Sequence, residues 1–128
     1  MALRNQNNLH QRMKTTVFKD FTFSAAHYLK IPDHPCSVMH GHNYRVRIEC
    51  TGQVNALGMV VDFSEIKKRI GPIIDRLDHS VINDTLFGGT TSEYIAAWLF
   101  KQANDQLGNV SRVTVFETEN CGAIVERS

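Results

Sequence analysis

The stretch His40-Gly41-His42-Asn43-Tyr44-Arg45-Val46-Arg47-Ile48-Glu49-Cys50 sets His40, His42, Tyr44, Val46, Ile48 and Cys50 against Asn43, Arg45, Arg47 and Glu49. Alternation of this length predicts a strand with one buried and one wet face, and it places two imidazoles together on the buried side. Upstream, Val17, Phe21, Phe23 and Ala25 repeat the period, interrupted at Lys19, and the pattern ends on His27. This is a second strand, whose face can meet the first. Between them, Pro32, Asp33 and Pro35 mark a loop that carries Cys36.

Downstream, the pattern changes to that of helices. Asp62-Phe63-Ser64-Glu65 reads as a capping box, with Glu65 reaching back, followed by a stripe of Phe63, Ile66, Ile70, Ile73 and Leu77. Pro72 lies inside this stripe and is expected to kink or divide the helix, because it removes a donor and crowds the preceding turn. Thr90-Thr91-Ser92-Glu93 repeats the capping pattern ahead of Ile95, Trp98, Leu99, Ala103 and Leu107, and Gly108 ends that helix. Val110 to Glu117 and Ala123 to Val125 read as two further strands separated by turn material around Cys121. The order β-β-α-α-β-β predicts an α+β domain: a four-stranded antiparallel sheet with two helices on one face. Open edges and an uncovered sheet face then favour self-association.

The 128 residues fit one domain at 14–128 behind a polar tail at 1–13. Fourteen Lys and Arg against 13 Asp and Glu leave no basic footprint, which argues against a nucleic-acid partner. Three cysteines without paired spacing point to free thiols in a reducing compartment. With neither a membrane-length apolar run nor a signal-peptide core, the expected location is the cytoplasm.

Several residues can do chemistry. His27, His40 and His42 can converge as three neutral nitrogens around a metal that keeps a fourth position open, a set that suits Zn2+. The competing reading makes them hydrogen-bonded core histidines. Cys36 can serve as base, nucleophile or fourth ligand, while Cys50 and Cys121 read as small apolar fillers. In Asp78-His79 the carboxylate would fix the tautomer of a proton-relay histidine, although the same ring equally answers the dipole of the helix it follows. Glu117 is in phase with Val113 and Val115, so it either meets a ligand's paired N–H groups or sits at a solvated edge.

Taken in order, Phe23-Ser24-Ala25-Ala26-His27, Cys36-x3-His40-Gly41-His42-Asn43-Tyr44, Gly58-Met59-Val60-Val61-Asp62-Phe63, Leu77-Asp78-His79, Thr91-Ser92-Glu93 and Glu117-Thr118 resemble the 6-pyruvoyltetrahydropterin synthase family. The resemblance implies a tunnelling fold (T-fold) whose subunits close a barrel, as a homo-oligomer, usually a hexamer built as a dimer of trimers. It implies zinc on His27, His40 and His42, Cys36 as catalytic base, Asp78 and His79 as relay, and a pterin held by Glu117, Thr91 and Ser92. The relay pair would come from the same or a neighbouring subunit. Three residues between Cys36 and His40 look like the bacterial branch, a zinc-dependent lyase that converts 7,8-dihydroneopterin triphosphate to 6-carboxy-5,6,7,8-tetrahydropterin, acetaldehyde and triphosphate on the queuosine route. The alternatives are the pyruvoyl synthase of biopterin synthesis, an aldolase that shortens the dihydroneopterin side arm, and a non-catalytic pterin- or metal-binding oligomer.

Overall fold

A computed structural model describes residues 13–128. Residues 1–12 of the expected polar tail lie outside the described residues. β1 (Thr15–His27) and β2 (His40–Gly52) pair antiparallel along their whole length, in a register that sets Phe23 opposite Tyr44, Ala25 opposite His42 and His27 opposite His40. Because successive side chains point to opposite faces, this register puts all three histidines on one face, at one end of the two strands.

α1 (Phe63–Leu77) and α2 (Ser92–Leu107) cover that face. The four expected strands are joined by a fifth of two residues, β3 (Ser80–Val81), which runs parallel to β1 at the sheet edge. Two residues carry no periodic signal, so the sequence pattern passes over β3. β4 (Val110–Phe116) pairs with β2, and β5 (Gly122–Glu126) pairs with β4, both antiparallel, giving the order β3-β1-β2-β4-β5. The core between sheet and helices is aliphatic: Val46, Ile48, Val113 and Val115 from the strands meet Ile66, Ile70, Leu77, Ile95 and Leu99 from the helices, all fully buried. Each such Ile or Leu contributes about 1.5–3 kcal/mol relative to exposure. Among the described residues no helix is long and apolar enough to cross a membrane.

The structure corrects several local expectations. α1 runs through Pro72 as one helix. Gly71 precedes the proline and has no Cβ for the ring to crowd, and buried Ile66, Ile70, Ile73, Ile74 and Leu77 anchor both sides of the junction. Phe63 is exposed rather than part of that stripe. Asp62 caps α1 through a bond from the Ser64 N–H, but Glu65 turns forward to Arg69 at 3.0 Å instead of reaching back. In α2 the cap is Thr91, whose hydroxyl accepts the Tyr94 N–H, while the Thr90 hydroxyl donates to the Tyr28 carbonyl. Cys121 is exposed, not a filler, because it sits in the β4–β5 turn; Cys50 is buried as expected, which pushes its thiol up to about 11.

Gly122 closes the β4–β5 hairpin against backbone, since a Cβ there would collide with the Val115 carbonyl oxygen. Gly122→Ala is therefore expected to lower stability by on the order of 1–3 kcal/mol, read as a shifted denaturation midpoint at unchanged m-value.

Candidate metal centre

The register that pairs β1 with β2 assembles the site. His27, His40, His42 and Glu117 each offer one donor atom, and these four atoms lie within 4.8 Å of one another. The imidazole centroids are 4.6 Å (His27–His40), 5.4 Å (His27–His42) and 4.9 Å (His40–His42) apart. Glu117 follows β4 by one residue, and its carboxylate is aimed by Ser92 Oγ, which donates to Oε2 at 2.9 Å. Oε1 lies 2.9 Å from His42 Nε2.

Backbone carbonyls set two of the rings. His27 Nδ1 is 2.7 Å from the Thr90 carbonyl, and His40 Nδ1 is 2.7 Å from the Val38 carbonyl. A carbonyl only accepts, so each neutral ring carries its proton on Nδ1 and presents a lone pair at Nε2. Burial pushes the His27 imidazole below its ordinary value, outweighing the Thr90 carbonyl that acts the other way, and so keeps the ring neutral, the form that binds metals.

The donor set fits a cation. Buried His27 Nε2 has no hydrogen-bond partner, and His42 Nε2, despite its closeness to Glu117, lacks the alignment of a hydrogen bond. A buried polar atom left unpaired costs about 1–3 kcal/mol. Two such nitrogens converging beside a carboxylate are accounted for by an ion that takes their lone pairs.

The end of β1 is held by residues that sequence reading passed over. Asn83 brackets Tyr28, accepting its N–H at Oδ1 (3.1 Å) and donating to its carbonyl from Nδ2 (3.0 Å). Nothing in the pattern around Asn83 marks this, since the partner is main chain 55 residues away. Asn83→Ala should loosen His27 and weaken metal binding roughly tenfold in a chelator competition.

Cys36 is half-buried in the Pro35–Ser37 turn between β1 and β2, and its sulfur is not among the four clustered donors. Thr91 and Ser92 open α2, where Ser92 reaches Glu117. Asp78 and His79 do pair, Oδ2 to Nδ1 at 3.0 Å, just after α1. The Asp78 carboxylate accepts the Ser24 N–H, and this bond, ahead of His79, holds its carboxyl below the ordinary range. The His79 N–H in turn donates to the Ser24 carbonyl at 2.6 Å. His79, its side chain 83% exposed, shares a cleft with Thr22, Ser24 and Asn43. Thr22, Ser24 and Asn43 point away from the helices, and a neighbouring cleft at the same sheet edge sets His79 with Gly41, His42 and Asn43.

Scaffold and donor set thus define an α+β protein with a histidine-rich, metal-capable centre between its sheet and helices. Residues 16–128 match the 6-pyruvoyl tetrahydropterin synthase family, and the chain belongs to it. Among its relatives is a 6-carboxy-5,6,7,8-tetrahydropterin synthase of Synechocystis, 37% identical over 112 residues, which cover 80% of this chain and 85% of that one. A dihydroneopterin monophosphate aldolase of Pyrococcus furiosus is 30% identical over 117 residues, covering 89% and 99%. The structure of 6-pyruvoyl tetrahydropterin synthase from Caenorhabditis elegans superposes with a TM-score of 0.83 at 26% identity, covering 91% of this chain and 97% of that one. The fold is that of the tunnelling-fold subunit.

Proposed function

We propose that the protein is a zinc-dependent lyase that converts 7,8-dihydroneopterin triphosphate to 6-carboxy-5,6,7,8-tetrahydropterin, releasing acetaldehyde and triphosphate, on the queuosine route in the cytoplasm. The observation that carries the reading is the convergence of His27, His40 and His42 with two buried, unpartnered Nε2 atoms. Family membership and the carboxytetrahydropterin synthases among the relatives support the substrate class.

The three histidines hold the metal. Bound there, zinc supplies Lewis acidity toward the oxygens of the substrate's side arm. Cys36 takes a proton from a carbon of that arm, a transfer of a kind worth on the order of 10²–10⁴ in rate. Glu117, steadied by Ser92, accepts two N–H groups of the pterin edge, and Thr91 lines the same pocket; this fixes which carbon faces the base. In this role the carboxylate leaves His42 for the substrate.

The Asp78–His79 pair moves the second proton. In this reading it acts on a neighbouring subunit's site, and the working form is a homo-oligomer, a hexamer of two stacked trimers. Exposed Phe18 and Ile124 on the outer sheet face are surfaces that such a barrel covers. Mixing inactive Cys36→Ala and His79→Ala subunits is expected to restore part of the wild-type turnover, because some interfaces then combine an intact Cys36 with an intact His79. Mixtures as inactive as either parent would return the pair to the site of its own subunit.

The Pyrococcus relative favours one second reading, an aldolase acting on the monophosphate. Parallel assays of the zinc-loaded protein on the triphosphate and on 7,8-dihydroneopterin monophosphate separate the two. Preference for the triphosphate supports the lyase, and preference for the monophosphate replaces it with the aldolase.

A further inference from the structure

We propose that His34 is a positioning residue for Cys36, acting through the main chain of the turn that carries the thiol. The inference rests on reading Cys36 as the catalytic base. His34 is the N-cap of the Pro35–Ser37 turn, with extended backbone (φ −106°, ψ 137°), and its Nδ1 accepts the Cys36 N–H at 3.0 Å. Its carbonyl accepts the Ser37 N–H at 3.0 Å and the Ser37 hydroxyl at 2.7 Å. From the other side, the Cys36 carbonyl accepts the Leu29 N–H at 2.8 Å.

Both peptide groups flanking the Cys36 Cα are therefore tied, one to His34 and one to the segment that has just left His27. Pro35 occupies the first position of the turn and has no N–H, so the Cys36 amide is the first donor the cap can reach. Ser, Thr, Asp or Asn ordinarily fills the capping role through an oxygen. Here a ring nitrogen fills it, in the tautomer that leaves Nδ1 free to accept. A proton-abstracting thiol must be held within a fraction of an ångström of its target, and misplacement from outside the reacting groups lowers rate without removing any reactive group. His34 thus fixes where Sγ stands and touches no substrate itself.

The test compares His34→Ala, His34→Asn and His34→Asp as full-length, zinc-loaded protein. Asn and Asp offer an oxygen that accepts the same Cys36 N–H, whereas Ala offers nothing. His34→Ala is expected to lose about tenfold in kcat, with KM, bound zinc and thermal midpoint unchanged, and Asn and Asp to recover most of that loss. In a Cys36→Ala background, His34→Ala should cost nothing further, because its effect runs through the missing thiol.

His34→Ala at wild-type kcat, or Asn and Asp no better than Ala, would overturn the positioning role. So would an undiminished cost of His34→Ala once Cys36 is gone. A fully active Cys36→Ala protein is a separate result, which removes the base and with it the premise.

Discussion

Cys36→Ala is expected to lower turnover by on the order of 10²–10⁴ while the protein keeps its metal and its fold. The separation follows from position. The Cys36 sulfur lies outside the four-atom cluster of His27, His40, His42 and Glu117, so its removal leaves every metal donor in place. Cys36 is also half-buried in a turn held by backbone bonds, from Leu29 N–H and between Ser37 and His34, and these do not involve the thiol. Equal zinc content in variant and wild type, a thermal midpoint within a degree or two, and turnover near background would together assign the thiol to chemistry. Undiminished turnover would remove it from the mechanism.

His42→Ala should have the opposite signature: zinc is lost and turnover with it. His42 stands on β2 between His40 and Tyr44, opposite Ala25, with its Nε2 buried and lacking a hydrogen bond. Truncation deletes one of three imidazole donors and leaves the Glu117 oxygen without its neighbour at 2.9 Å. Zinc measured after dialysis against a weak chelator is expected to fall from one per subunit to near zero, with turnover following in proportion. Retention of stoichiometric zinc would show that the ion sits elsewhere. His27→Ala should add a loss of stability, since it also strips the Thr90 carbonyl of its partner.

The parts of the site that share a strand were legible because alternation leaves little choice. Once His40-Gly41-His42-Asn43-Tyr44 is a strand, both imidazoles lie on one face, and the phase of Val113, Val115 and Glu117 sends the carboxylate to the same side. That His27 lies directly opposite His40 is a matter of register, which depends on both strands and on the long loop between them, so the pattern shows the face but not the partner. Beyond this, sequence is silent about main-chain donors and acceptors. The carbonyls of Thr90 and Val38 that set two histidine tautomers carry no residue signature. His34 carries no motif signal, and its capping of the Cys36 turn through a ring nitrogen shows only in the fold. Pro72 does not divide α1, since a preceding glycine and a well-buried stripe carry the helix through it.

The most direct measurement is to incubate zinc-loaded protein with 7,8-dihydroneopterin triphosphate and identify the pterin and any aldehyde by chromatography with mass detection. The expected result is 6-carboxy-5,6,7,8-tetrahydropterin with an equimolar amount of acetaldehyde, both abolished in Cys36→Ala. A pyruvoyl pterin without acetaldehyde would contradict the assigned product, and no consumption of the pterin by fully metallated protein would contradict the lyase.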